Sequence, residues 1–391
     1  MPEAYIVAAV RTAGGRRGGA LRDWHPADLA GAVLDEVVRR AGVDGAGIDD
    51  VIMGCVGQAG EQAHQIGRNA VLASNLPASV PAVTIDRQCG SSQQSVQFAA
   101  QAVLSGIQDL VIAAGVESMT RVPMGLAANL PQQHGIGGSA WSPRIQQRFG
   151  VPEFSQFAGA EAIAAKHGLS RADLDAYALE SHRRAAEASL AGAFGDEILP
   201  LAGLDREGAQ IVHSRDEGIR FDATLERMAG VEPILPGGIV TPASASQMCD
   251  GASAMLIASE RAVRDHGLQP LARLHAFAVT AGDPVIMLEE PINATRKALA
   301  KTGMAMGDFD LFEVNEAFAP IPLAWMQALG ADPARTNALG GAIALGHPLG
   351  ASGARLMTTL VHALRRRGQR WGLQTMCEGG GIANVTIVEA L

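Results

Sequence analysis

Asp86-Arg87-Gln88-Cys89-Gly90-Ser91-Ser92-Gln93-Gln94 sets a cysteine immediately ahead of a helix. The helix is legible in Val96, Ala99, Ala100, Val103 and Leu104, which recur at the three-and-four spacing of a buried face, with Ser91 and Ser92 as candidate caps. Residues 80–85 upstream read as a short apolar strand, and residues 110–114 downstream form an unbroken apolar run, as in a parallel strand covered on both faces. Cys89 is therefore expected on a strand-to-helix loop, where the partial positive charge of the helix end favours thiolate over thiol. Free cysteines are also commonly buried and inert, and Cys89 taken alone fits both readings.

Working outward, adding 261 to the positions of the first part of the chain reproduces its pattern. Gly42 falls on Gly303, Ile48 on Phe309, Asp49 on Asp310 and Ser91 on Ser352. Val96, Ala99, Ala100 and Val103 fall on Met357, Leu360, Val361 and Leu364, again a helical face. With a slip of one residue, the strand at 109–115 matches 371–377. Two copies of one strand-helix unit are expected, each a mostly parallel sheet with helices on its faces.

Residues 119–247, rich in Pro, Gly, Gln and charge, interrupt the first copy and read as an inserted lid or binding domain. Their clearest element is an amphipathic helix at 171–190, introduced by Ser170 with Asp173 three residues on. The expected organisation is an N-terminal half over 1–118, the insertion over 119–247, a return to the first half over 248–268 and a C-terminal half over 269–391. Near the start, Arg11-Thr12-Ala13-Gly14-Gly15-Arg16-Arg17-Gly18-Gly19 tempts a dinucleotide-fold reading. That fingerprint needs its last glycine to open a helix, and the next helix begins only near Pro26, so the stretch reads as a mobile surface loop.

Composition narrows the function. Nearly half of the 391 residues are apolar, as in a soluble globular protein with a large core. A formal charge of -9 argues against nonspecific nucleic-acid binding, and six Tyr and Trp together make no stacking platform for single strands. Four cysteines, Cys55, Cys89, Cys249 and Cys377, form no C-x-x-C pair, so no zinc ribbon or disulfide framework is indicated and a reducing compartment fits. No targeting segment or membrane span is read, and cytoplasm is the default expectation.

The polar residues that the repeat cannot explain fall at equivalent strand ends. Asn315 and Glu316 end the strand at 310–314, His347 lies in a glycine-rich loop before a helix, and Cys377 ends the last such strand before Glu378-Gly379-Gly380-Gly381. Singly, Asn315 reads equally as a turn residue, Cys377 as a buried strand end and His347 as a loop hydrogen-bonder. Together with Cys89 they make a nucleophile, a base and an amide donor available in one crevice at the carboxyl ends of strands.

These motifs, in this order, resemble the thiolase family over essentially the whole length: residues 86–94, Gly115-Val116-Glu117-Ser118-Met119, Val314-Asn315-Glu316-Ala317-Phe318-Ala319, residues 337–355 around Gly346-His347-Pro348, and Cys377-Glu378-Gly379-Gly380-Gly381. The resemblance implies the thiolase fold, a layered α/β/α/β/α core with an inserted loop domain. It implies thiolytic cleavage of a 3-ketoacyl-CoA, or the reverse Claisen condensation, through an acyl-cysteine. Cys89 would be the nucleophile, His347 its base and Cys377 the second acid and base. Asn315 would hold a water at the enolate oxygen, the backbone amides of Cys89 and Gly379 would face the acyl oxyanion, and Arg220 and Ser246 would contact coenzyme A. It also implies coenzyme A as co-substrate with no permanently bound cofactor and no metal, and a homodimer or homotetramer.

Three stretches depart from the family pattern: residues 156–161 lack its Met-Gly pair, Ser244-Ala245-Ser246-Gln247 replaces Asn-Ala-Ser-Gly, and Glu378 stands where an apolar residue is usual. These bear on the acyl group, and an acyl part larger than acetyl is expected. The rival readings are a biosynthetic acetyl-CoA acetyltransferase, a ketoacyl synthase, against which Cys377 argues, and a non-catalytic acyl-CoA or lipid carrier, against which the full residue set argues.

Overall fold

A computed structural model describes residues 2–391 of the protein, and the repeat is written into its hydrogen bonds. Asp49 Oδ2 accepts from the backbone N–H groups of Asp109 (2.7 Å) and Leu110 (3.0 Å). Asp310, 261 residues on, accepts in the same way from Arg370 (2.9 Å) and Trp371 (2.8 Å). Gly42 and Gly303 each end a helix in the left-handed region, at φ 70 and 75, where a side chain would be strained. The one-residue slip is absent: Asp50 pairs Val111 and Leu311 pairs Gly372, both members shifted by 261.

The first half contains β1 (Ala4–Thr12), β2 (Asp50–Gly54), β3 (Ala82–Ile85), β4 (Leu110–Ser118) and β5 (Cys249–Ser259), in the spatial order β1-β5-β4-β2-β3. The second contains β6 (Ala272–Ala281), β7 (Leu311–Val314), β8 (Trp371–Glu378) and β9 (Ile382–Ala390), ordered β6-β9-β8-β7. A lone bridge from Phe312 to Thr336 stands where the first half has β3. The halves join edge to edge where β1 meets β6, through Tyr5 with Arg273 and Ile6 with Ala272.

The expectation of mostly parallel sheets needs correcting. β5 runs against both of its neighbours, and so does β9. The cause is legible at β8–β9, which only Gly379, Gly380 and Gly381 connect; so short a link permits a hairpin alone. Gly380 and Gly381 take φ 84 and 78 to make it. The same hairpin in the first half, β4–β5, is opened by residues 119–248, so the insertion grows from a strand end.

Two helices, Ser91–Leu104 and Ser352–Arg367, lie between the halves. Val96, Ala99, Ala100 and Val103 share a core with Met357, Leu360, Val361 and Leu364, and with Ile52, Val111, Leu311 and Val388 from strands of both halves. Full burial of each larger side chain here contributes ~1.5–3 kcal/mol. Leu29, Val33 and Leu34 of the helix Pro26–Ala41 cover the other face of the first half, and Ile292 and Trp325 that of the second. The layers are therefore α/β/α/β/α. No helix among the described residues is long and apolar enough to cross a membrane.

Two further expectations fail on packing. Ser91 and Ser92 do not cap their helix, whose N-cap is Gly90. Ser91 Oγ instead accepts from Arg87 N–H (2.9 Å) and donates to Gln88 O (2.6 Å), while Ser92 Oγ accepts from Ala354 N–H (2.9 Å) on the neighbouring central helix. The stretch at 11–19 is no surface loop. Arg11 is fully buried in β1, its guanidinium donating to Glu197 (2.6 Å) and to both oxygens of Asp216 (2.8 and 3.0 Å), and Gly15–Arg16 pairs with β5.

Candidate active site

The nucleophile turn is set by its own polar groups. Asp86 Oδ1 accepts from Gln88 N–H (2.7 Å), Gly90 N–H donates to Arg87 O (3.1 Å) and Ser91 N–H to Gln88 O (3.0 Å). These bonds hold Gln88 at φ 47, a left-handed conformation costly for a side-chain-bearing residue, and leave Cys89 half-buried at the mouth of the helix.

Asn315 follows β7, and its N–H donates to Thr375 O (3.1 Å) on β8, two residues before Cys377. The two strand ends are thus side by side. His347 reaches them from its loop: its Nε2 lies 3.4 Å from Asn315 Nδ2, and its backbone N–H donates to Gln247 O (2.9 Å). Its Nδ1 is 2.6 Å from Ser352 Oγ, whose hydroxyl donates to Pro348 O (2.9 Å). Because the serine proton is committed to that carbonyl, Nδ1 carries the imidazole proton and Nε2 is the basic nitrogen, with its lone pair toward Asn315 Nδ2.

The second half's turn closes on the first's. A Cβ on Gly379 would lie 2.9 Å from Gln88 Oε1, so the residue after Glu378 abuts the Cys89 turn. Among the described residues, neither Cys89 N–H nor Gly379 N–H donates to a protein oxygen. Cys377 is fully buried and shares an apolar cluster with Phe318, Ile343, Met287 and Leu288; Phe157 of the insertion stacks edge-on against Phe318, 5.7 Å between centroids.

The surroundings of Cys89 work against the pull of the helix end. Burial, aided by the charges of Glu378 and Asp86, pushes the Cys89 thiol up to about 12, although its own backbone N–H pulls the other way. Burial, then the positive charge of Arg355, pushes His347 down to about 3. Burial, then Cys89 and Glu378, holds the Cys377 thiol well above the ordinary range. A helix end contributes ~0.3–1 kcal/mol, less than the several kcal/mol that burying an unpaired charge costs. Both shifts favour the neutral forms, thiol at Cys89 and imidazole at His347.

Neither Arg220 nor Ser246 hydrogen-bonds through its side chain to these groups among the described residues. Arg220 is exposed, and its guanidinium is in no ion pair among the described residues; its N–H donates to His182 Nδ1 (3.2 Å). Ser246 is half-buried, with its N–H on Ala317 O (2.9 Å). Gln247 links their neighbourhoods to the catalytic loop, donating from Nε2 to Gly218 O and Ile343 O, both at 2.8 Å.

Sequence reasoning passed over two functional supports. Ser352 orients His347, and its signal was there: it is the repeat counterpart of Ser91, five residues past the histidine. Glu316, buried, accepts from Ser181 Oγ (2.7 Å), Tyr177 Oη (2.9 Å), Asn337 Nδ2 (3.0 Å) and Ile343 N–H (3.1 Å), tying the insertion's helix Arg171–Leu190 to the strand end that presents Asn315.

Residues 4–261 match the family model for the thiolase N-terminal domain, and residues 268–390 that for the thiolase C-terminal domain. The chain belongs to the thiolase family. It is 51% identical to the steroid 3-ketoacyl-CoA thiolase FadA6 of Mycobacterium tuberculosis, over all of this chain and 95% of that one. It is 41% identical, over the full length of both, to the 3-oxoadipyl-CoA/3-oxo-5,6-dehydrosuberyl-CoA thiolase of Escherichia coli. The fold matches the crystal structure of the Bacillus anthracis acetyl-CoA acetyltransferase with a TM-score of 0.90 at 36% identity, covering 100% of this chain and 99% of that one. The protein is an acyltransferase, a thiolase that works on coenzyme A thioesters.

Proposed function

We propose that this thiolase cleaves 3-ketoacyl-CoA substrates whose acyl part is larger than acetyl, through an acyl group carried on Cys89. The observation that carries the residue roles is the chain His347 Nδ1–Ser352 Oγ–Pro348 O, which reserves Nε2 for proton transfer. His347 Nε2 takes the Cys89 proton as the sulfur attacks the 3-keto carbon, so that thiolate and imidazolium form as a mutually stabilising pair. The amides of Cys89 and Gly379 receive the oxyanion. Breaking the bond between carbons 2 and 3 leaves the acyl group on Cys89 and an acetyl-CoA enolate. His347, with a water held by Asn315, stabilises its oxygen, and Cys377 gives its proton to carbon 2. The thiol of a second coenzyme A then gives its proton to the Cys377 thiolate and attacks the acyl-cysteine, and His347 returns its proton to the Cys89 sulfur as acyl-CoA leaves.

Residues 119–247 act as the coenzyme A-binding domain, with Arg220 suited to a phosphate and Ser246 to the pantetheine end. The larger acyl group is supported by the substrates in the names of the steroid and 3-oxoadipyl relatives, and by Phe157 on Phe318 where the lid departs from the family pattern. The likeness to an acetyl-CoA acetyltransferase favours a second reading, synthesis of acetoacetyl-CoA. Comparing kcat/KM for acetoacetyl-CoA with 3-ketoacyl-CoAs of rising length and with ring-bearing analogues separates them. Each further buried CH₂ contributes ~0.8 kcal/mol, so preference should build over a few carbons; a maximum at acetoacetyl-CoA favours the second reading. The protein acts in the cytoplasm as a homodimer or dimer of dimers, with no permanently bound cofactor. The strand β3, hydrogen-bonded on one side only and exposing Val83, is an edge suited to a second copy.

A further inference from the structure

Glu117 and Glu378 hold the same place in the two repeats, 261 residues apart, yet their surroundings differ. Glu117 accepts from the backbone N–H groups of Val56 (2.9 Å), Gly57 (3.0 Å) and Gly350 (2.9 Å) and from Gln62 Nε2 (2.7 Å). Gly350 is the repeat counterpart of Cys89. In that copy a buried glutamate at a strand end holds the turn that leads into the helix Ser352–Arg367.

Glu378 meets the corresponding turn. A Cβ on Gly90 would lie 1.9 Å from Glu378 Oε1, so the carboxyl rests directly against the residue after the nucleophile. Both oxygens of Glu378 are nonetheless buried without a hydrogen-bond partner. The titratable and charged groups facing it are Arg87, whose Nε is also buried and unpartnered, and the thiols of Cys89 and Cys377. The neutral neighbour Asn384 spends its Nδ2 on Gly90 O (3.3 Å).

We propose that Glu378 is a positioning residue of the Cys89 turn that works as the neutral acid, and that its ionisation opposes formation of the Cys89 thiolate. The proposal rests on Cys89 being the nucleophile. A carboxylate buried with no donor is costly, and beside a nascent thiolate it adds like-charge repulsion. Protonation removes both penalties. Burial, against the pull of Arg87, holds the Glu378 carboxyl up to about 8, so the acid form prevails at neutrality and the carboxylate appears just above it. The family's usual apolar residue would leave the turn without this pH sensitivity.

The test is iodoacetamide alkylation, mapped to peptides by mass spectrometry across neutral and alkaline pH, on the wild type and on Glu378→Gln. The expected result is a lower pH midpoint for Cys89 alkylation in Glu378→Gln. In the acylation half-reaction, the wild type should show a fall in rate above about pH 8 that the variant lacks. Alkylation of Cys89 with superimposable profiles overturns the proposal alone. Absence of Cys89 alkylation in both proteins overturns the nucleophile assignment and the proposal with it. Infrared difference spectra between the wild type and Glu378→Gln, both carrying isotope-labelled glutamate, isolate this carboxyl from the other buried glutamates: a protonated carboxyl band present at neutral pH in the wild type only and fading through about pH 8 is expected, and no difference at neutral pH overturns the proposal.

Discussion

His347 Nδ1 lies 2.6 Å from Ser352 Oγ, and that contact decides which imidazole nitrogen carries the proton. Ser352→Ala removes the acceptor and frees the ring to take the other tautomer. We expect kcat to fall about 10- to 100-fold with KM little changed, as for other groups that orient a working histidine. Ser352→Thr, which keeps a hydroxyl, should recover part of the loss. Steady-state kinetics on the two variants check this; equal losses in both would point to packing instead.

Cys377→Ala should abolish overall cleavage and condensation while leaving measurable acylation of Cys89 from acyl-CoA. Protonating a carbon and attacking a thioester are separable steps, and only the first needs the second thiol. Cleavage at the wild-type rate in Cys377→Ala would remove Cys377 from the chemistry.

Glu316→Ala should destabilise the fold by about 3 kcal/mol, because it strands the buried donors of Tyr177, Ser181, Asn337 and Ile343 together. The denaturant midpoint measures it, and an unchanged midpoint would mean that the insertion is held by other contacts.

Acid should weaken the protein through its buried histidines. Burial lowers His347 to about 3, and burial with the Arg220 charge lowers His182 to about 4, both from 6.5. Between those values and 6.5 the unfolded chain binds protons that the folded chain refuses, so their contribution is present above 6.5 and lost as pH falls through that window. Thermal melts at stepped pH should show a shallower acid slope for His347→Gln than for the wild type.

The repeat was legible in sequence because Gly42 and Gly303 stop equivalent helices and Asp49 and Asp310 open equivalent strands. Cys89, Asn315, His347 and Cys377 stood out because each sits where a strand or glycine loop ends; the structure sets Asn315 against His347 and the Gly379 turn against the Cys89 turn. What stayed hidden depends on distance or burial. Arg11 is buried because its carboxylate partners lie 186 and 205 residues away. The antiparallel β9 follows from a three-glycine hairpin that hydropathy does not register, and β5 repeats it across the insertion. The upward push on the Cys89 thiol comes from desolvation, a tertiary effect that opposes the helix end sequence alone can see.

The central claim is that Cys89 carries the acyl group. Intact-mass and peptide mass spectrometry of the wild type and of Cys377→Ala, after brief incubation with acyl-CoA, tests it most directly. A single acyl adduct on the Cys89 peptide, discharged by adding coenzyme A to the wild type, is the predicted result. An adduct on Cys377, Cys55 or Cys249 with Cys89 unmodified would contradict it.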